Sequence, residues 1–196
     1  DPKADVRNVL APYSERMQTL LKNPEKFYRP KRRPSGHDIS RGFANGNAGA
    51  IPSNLLQIPN TDSNSHYMRA CKKLERQRHP ARFPEDLPRF FIKFLTEPGD
   101  LVVDIFSGSN TTGYVAEELG RKWLSIELDR AHAALSAVRF MEGCDEAEME
   151  ATIARLEEGR CLKLTPTITP GATRVRQRRT ARKRKPKRDV SLPLFD

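Results

Sequence analysis

Two carboxylates, Asp104 and Glu127, stand 23 positions apart, each closing a short apolar run. Between them lies Phe106-Ser107-Gly108-Ser109-Asn110-Thr111-Thr112-Gly113. Small residues at 107–109 let a backbone come close to a ligand, and the helix start that follows offers free N–H groups. An acid at the end of the next strand can accept hydrogen bonds from both hydroxyls of a ribose. The pattern therefore suits a nucleoside-bearing ligand. It is not G-x-G-x-x-G, since its glycines are Gly108 and Gly113, and no lysine follows as a P-loop requires. A nicotinamide-dependent oxidoreductase and a P-loop enzyme are both disfavoured.

The elements that must hold these residues are legible around them. Pro98-Gly99-Asp100 makes a turn into a buried strand, Leu101 to Ile105. A helix carrying Val115, Ala116, Glu117, Glu118 and Leu119 comes next, and Gly120 can end it in the left-handed conformation. A second strand, Lys122 to Ile126, stops on Glu127. This is one βαβ half-unit. Upstream, Leu87, Phe90, Phe91, Phe94 and Leu95 recur at helical spacing, which predicts an amphipathic helix over Glu85–Thr96 with Pro88 harmless in its first turn. Those phenylalanines read as core. A short helix is expected near Ser14–Lys22, and helical patterns run over Arg130–Phe140 and Asp145–Glu158. The last, rich in Glu, reads as a solvated cover for the sheet edge.

The 196 residues carry a net charge of +10, with 37% hydrophobic residues and a mean hydropathy of −0.69. Ten bases and no acid fall between Gly171 and Arg188; without them acids and bases balance. Such a block repels itself and stays solvated, so 166–196 reads as a disordered basic tail, suited to phosphate contacts. A second basic stretch, Lys26 to Gly42, mixes six bases with Phe27, Tyr28 and turn residues. It is either a loop that reads nucleic-acid edges and phosphates or an ordinary solvated one, with Lys31, Arg32, Arg33, Ser35, His37 and Arg41 the candidate contacts. Cys71, Cys144 and Cys161 are odd in number and widely spaced, which argues against a disulfide framework or a zinc site. No apolar run is long enough to span a membrane.

Asp104-Ile105-Phe106-Ser107-Gly108-Ser109-Asn110-Thr111-Thr112-Gly113 resembles the AdoMet-binding motif of the amino-methylating DNA methyltransferases, usually Asp-Pro-Phe-x-Gly-Ser-Gly-Thr-Thr. His79-Pro80-Ala81-Arg82-Phe83-Pro84 resembles the segment preceding that motif in the permuted β-class order, and Leu119-Gly120-Arg121-Lys122-Trp123 leads to Glu127 as in the family's next strand. The wider run, residues 6–141, is similar to the PvuII-type N4-cytosine enzymes. The resemblance implies that Asp104, Phe106, Gly108 and Ser109 wall the methionine and sulfonium part of AdoMet. Asn110 and Thr111 help at the helix start, Glu127 holds the ribose, and His79, Pro80, Ala81 and Phe83 lie beside the methionine end. Ile105 stands where the family usually has Pro, and Asn110 where it usually has Gly.

The family's catalytic motif ends in Pro-Pro-aromatic, and no Pro-Pro dipeptide occurs in the chain. With Asp1 in place of Met, this implies the C-terminal part of a longer enzyme or half of a split one, without catalytic residues and inactive alone. The expected fold class is α/β, a partial Rossmann-like AdoMet-dependent methyltransferase sheet. Residues 1–65 are expected to form a loop-rich DNA target-recognition region, 66–165 the AdoMet-binding half and 166–196 the tail. The expected activity is cytosine-N4 methylation of double-stranded DNA with AdoMet and no metal, in the bacterial cytoplasm. An adenine-N6 enzyme, or a non-catalytic half binding AdoMet and DNA, is the alternative.

Overall fold

Strand β1, Leu101–Asp104, lies parallel to β2, Lys122–Ser125, with Leu101 opposite Lys122 and Asp104 opposite Ser125. The computed structural model describes residues 4–27, 34, 45–60 and 65–164. Ahead of the strands come a 3-10 turn at Val6–Val9, helices α1 (Glu15–Lys22) and α2 (Pro24–Phe27), then α3 (His66–Lys73) and α4 (Asp86–Leu95). Helix α5, Thr111–Glu118, crosses from β1 to β2. After β2, α6 (Arg130–Ser136) runs into a 3-10 turn, Ala137–Phe140, and α7 (Glu146–Glu157) follows.

Most of these elements stand where local chemistry puts them. Ser14, Asp129 and Asp145 each accept the backbone N–H three residues on, satisfying a donor that the first helical turn leaves over. The helix expected over Glu85–Thr96 forms as α4 and buries Ile92 against α5. Gly120, at φ +72°, ends the α5 region and delivers the chain into β2.

Two helices depart from the expectation. Helix α3, capped by Ser65, occupies a stretch for which no element was expected. Its signal was present: Tyr67, Ala70, Cys71 and Leu74 fall at i, i+3, i+4 and i+7, and all four are buried. Helix α7 is a core element as well as a solvated surface. Its Met149 and Ile153 pack in one cluster with α3 and with Leu135 and Val138, so its partners are helices and not a sheet edge. The Glu-rich composition hid a narrow apolar stripe.

A second core lies under the sheet. Val115 and Ala116 of α5 meet Ile92, Val102 and Trp123, and Trp123 stacks on Phe140 with centroids 4.9 Å apart. Among the described residues only this face of the sheet is covered, so the strand expected to be buried is half exposed. On the other, Leu101, Val103 and Leu124, continued by Ile105 and Ile126, are each more than half exposed. Parallel sheets are ordinarily buried on both faces. Among the described residues no helix is long and apolar enough to cross a membrane.

Candidate functional site

The turn after β1 is built from its own hydrogen bonds. Asp104 Oδ1 accepts the Phe106 N–H at 3.1 Å, and the Phe106 ring is 85% exposed. Ser107 N donates to Ile126 O at 3.0 Å, extending the strand pairing into the turn, and Asn110 N donates back to Ser107 O at 2.7 Å. The chain reverses tightly at Gly108, whose φ is +51°. A Cβ there would meet Cε1 of His79 at 3.0 Å, so the ring and the bare backbone are in close apposition. Glycine at 108 thus answers two demands, a left-handed backbone and a close approach.

Asn110 is also left-handed, at φ 55°. Where the family usually has Gly, this chain has the side chain that best tolerates that conformation. Its Oδ1 accepts from Gly113 N at 3.1 Å, capping α5, and from Ser125 Oγ at 2.7 Å. The substitution therefore keeps the turn and ties it to β2.

Glu127 reaches across from the end of β2. Its Oε2 accepts the Gly108 N–H at 2.7 Å and its Oε1 accepts the Asp129 N–H at 3.0 Å. The Asp129 N–H chiefly, then that of Gly108 and the nearby His79, hold its carboxyl below the ordinary value against the opposing effect of burial. Glu127 is thus an ionised acceptor. Main-chain N–H groups thus take part of the acceptor capacity of the carboxylate, and the rest can receive a ligand hydroxyl.

His79 forms the opposite wall. Its Nδ1 lies 2.7 Å from Ala81 O, its backbone N donates to Tyr67 Oη at 3.2 Å, and its ring meets His132 edge-on at 4.6 Å. Burial pushes the Tyr67 hydroxyl up to about 12, so it remains a neutral phenol. Pro80 and Ala81 are exposed beyond it, with Phe83 38% exposed.

The structure thus brings His79, Asp104, Phe106, Gly108, Asn110 and Glu127 to one end of the two strands. Ser109 and Thr111 belong to the same turn, but their side chains are buried and engaged from within by Arg139. Sequence reasoning missed Arg139, Tyr67 and His132. The signal for His132 was its place three residues after Asp129, the cap of α6; Arg139 and Tyr67 gave none that spacing could read. Lys31, Arg32, Arg33, Ser35, His37 and Arg41 lie outside the described residues, as does the tail 166–196.

Comparison with known proteins places this geometry in a family. The N6_N4_Mtase family model, described as DNA methylase, matches residues 3–138. The type II methyltransferase M.PvuII of Proteus hauseri is 52% identical over 168 residues, 85% of this chain and 50% of that protein. The DNA adenine methyltransferase YhdJ of Escherichia coli (strain K12) is 40% identical over 66 residues, 34% of this chain and 22% of that protein. Among solved structures, the cytosine-N4-specific PvuII DNA methyltransferase is similar with a TM-score of 0.54 at 51% identity, covering 56% of this chain and 39% of that one. The chain spans half or less of the length of these relatives. A βαβ unit with Glu127 closing the Gly108 turn, matched by the family model over most of its length, makes this chain a member of the N6_N4_Mtase family of DNA methylases.

Proposed function

We propose that the chain is the AdoMet-binding half of a site-specific DNA methyltransferase that methylates the exocyclic N4 amine of cytosine in duplex DNA. The observation that carries the cofactor reading is the Gly108–Glu127 closure, with His79 packed where a side chain at 108 would stand. The cytosine-N4 assignment is supported by the 51% identity to the cytosine-N4-specific PvuII DNA methyltransferase.

AdoMet, when bound, supplies an electrophilic methyl group on its sulfonium. The residues fit that ligand. Glu127 accepts the ribose hydroxyls. Asp104, Phe106, Gly108 and Ser109 wall the methionine and sulfonium part, His79, Pro80, Ala81 and Phe83 flank the methionine end, and Asn110 and Thr111 shape the helix start. The exposed Phe106 ring stands free to pack on the ligand. No residue of this chain is assigned to catalysis. A cytosine amine is out of reach in the stack and a poor nucleophile, so the target must be flipped and held by groups outside this chain.

The partner that supplies them is the remaining half of the fold. The open sheet face of Leu101, Val103, Ile105, Leu124 and Ile126 supports this, because a parallel sheet left bare on one side is an unfinished core. On this reading the chain alone does not turn over. Residues 1–65 read the target through Lys31, Arg32, Arg33, Ser35, His37 and Arg41, residues 66–165 seat the cofactor, and the basic tail 166–196 adds salt-dependent DNA affinity. The site of action is the bacterial cytoplasm, on DNA.

The test begins with calorimetric titration of AdoMet into the chain, with NAD as control. Saturable binding of AdoMet alone is expected; equal binding of NAD overturns the reading. Transfer of labelled methyl to duplex DNA is then measured with the chain alone and with the PvuII enzyme's N-terminal half added. N4-methylcytosine is expected only in the mixture. N6-methyladenine instead establishes the second reading, which the similarity to YhdJ favours.

A further inference from the structure

Arg139 is a buried cation, 5% exposed, on the 3-10 turn that follows α6. A guanidinium in that position needs nearly all of its donors satisfied, and here the satisfying groups belong to the turn 30 residues earlier in the chain. Arg139 Nε donates to Ser109 O. Its Nη2 donates to Ser109 Oγ and to Thr111 Oγ1, each at 3.0 Å, and those two hydroxyls lie 3.3 Å from each other. Nη1 lies 4.0 Å from Glu85 Oε1, at the start of α4. The guanidinium carbon sits 4.6 Å over the Tyr67 ring and 5.9 Å from that of Tyr114.

The bond to Ser109 O acts on one particular peptide. The Ser109 carbonyl and the Asn110 N–H share a plane, and the N–H end is held by Ser107 O at 2.7 Å. Arg139 holds the other end. The residue that follows is Asn110, in the left-handed region, where an L side chain resists staying. Fixing the peptide plane at both ends restrains the backbone entering Asn110, alongside the bonds that the Asn110 side chain accepts from Gly113 N and Ser125 Oγ. Tyr67, under the guanidinium, also accepts the His79 N–H. One buried cation therefore braces both walls of the site.

We propose that Arg139 is a positioning residue for the cofactor turn: its forked guanidinium sets the Ser109–Asn110 peptide and preorganises the turn before ligand arrives. The proposal rests on the reading of that turn as the AdoMet seat. A rigid, preformed turn spares the ligand the cost of ordering it.

The test compares the wild-type chain with Arg139→Lys, which keeps the charge but not the fork, and with Ile153→Ala, a core change in α7 away from the turn. Amide hydrogen exchange is followed by mass spectrometry at a temperature well below all three melting points. Arg139→Lys is expected to accelerate exchange over residues 107–113 by about tenfold or more, with α7 unchanged. Ile153→Ala is expected to accelerate α3 and α7 and leave 107–113 at the wild-type rate. In calorimetry Arg139→Lys weakens AdoMet binding on the order of tenfold, and Ile153→Ala leaves it within about twofold. Equal acceleration of every segment by Arg139→Lys makes Arg139 a general stabiliser and overturns the proposal. Should Arg139→Lys not fold, Arg139→Gln, which removes both the fork and the buried charge, replaces it, and unchanged exchange over 107–113 is then the refuting result. Failure of the wild-type chain to bind AdoMet refutes the cofactor reading alone, because exchange in the free protein still decides the role of Arg139.

Discussion

The main-chain N–H of Gly108 and the carboxylate of Glu127 meet at 2.7 Å, joining the turn after β1 to the end of β2. The bond sets the separation between the two strand ends. After the Asp129 N–H, it also helps to hold the Glu127 carboxyl below its ordinary value.

Gly108 has no tolerance for a side chain. Gly108→Ala forces a Cβ into the left-handed region and to 3.0 Å from the His79 ring. The expected cost is about 1–3 kcal/mol of stability, with loss of AdoMet binding beyond the loss of fold. Thermal melts and calorimetry on one sample check both, and undiminished affinity would contradict the site.

Asn110 separates two effects. Asn110→Gly relieves the left-handed strain while losing the cap and the bond from Ser125, so its stability should stay within about 0.5 kcal/mol of wild type. Asn110→Ala loses the same bonds and keeps the strain, and should fall about 1–2 kcal/mol below Asn110→Gly. Urea denaturation of the pair measures the difference. Equal stabilities would mean that the left-handed turn costs nothing here.

Glu127 makes stability depend on pH with a defined sign. Its carboxyl is held below the ordinary value of 4.5, first by the Asp129 N–H and then by that of Gly108. A depressed folded value means that the stabilisation is complete above the unfolded value and is lost as pH falls through the folded one. Glu127→Gln should therefore melt below wild type near neutrality, with the gap narrowing as pH drops below 4.5. Melting curves collected across that range decide it; a gap that is constant with pH removes Glu127 from the account.

The bare sheet face predicts a silent substitution with a loud consequence. Leu124→Glu places a charge among exposed apolar side chains, so the chain alone should lose no more than about 0.5 kcal/mol. Reconstitution with the N-terminal half of the PvuII enzyme should be abolished, as measured by co-purification and methyl transfer. Normal reconstitution would show that this face is not where the other half docks.

Much of the site was legible because its residues are local. A short apolar run, a turn of small residues, a helix and a second run ending in acid are all written within Leu101–Glu127, and β1, α5 and β2 form there. The α3 helix was legible too, from Tyr67, Ala70, Cys71 and Leu74, but its polar flanks masked the period. In α7 a Glu-rich surface concealed Met149 and Ile153 in the same way.

What the sequence by itself determined is the set of local conformations: which segments coil or extend, where Gly108 must turn, and which acid ends the second strand. Tertiary structure alone decided that Arg139, 30 residues beyond Ser109, enters the turn from behind, and that Tyr67 lies beneath it while holding His79. Local propensity depends on neighbours along the chain. A buried guanidinium finds its acceptors across space, wherever packing brings them, and no spacing in the sequence records that meeting.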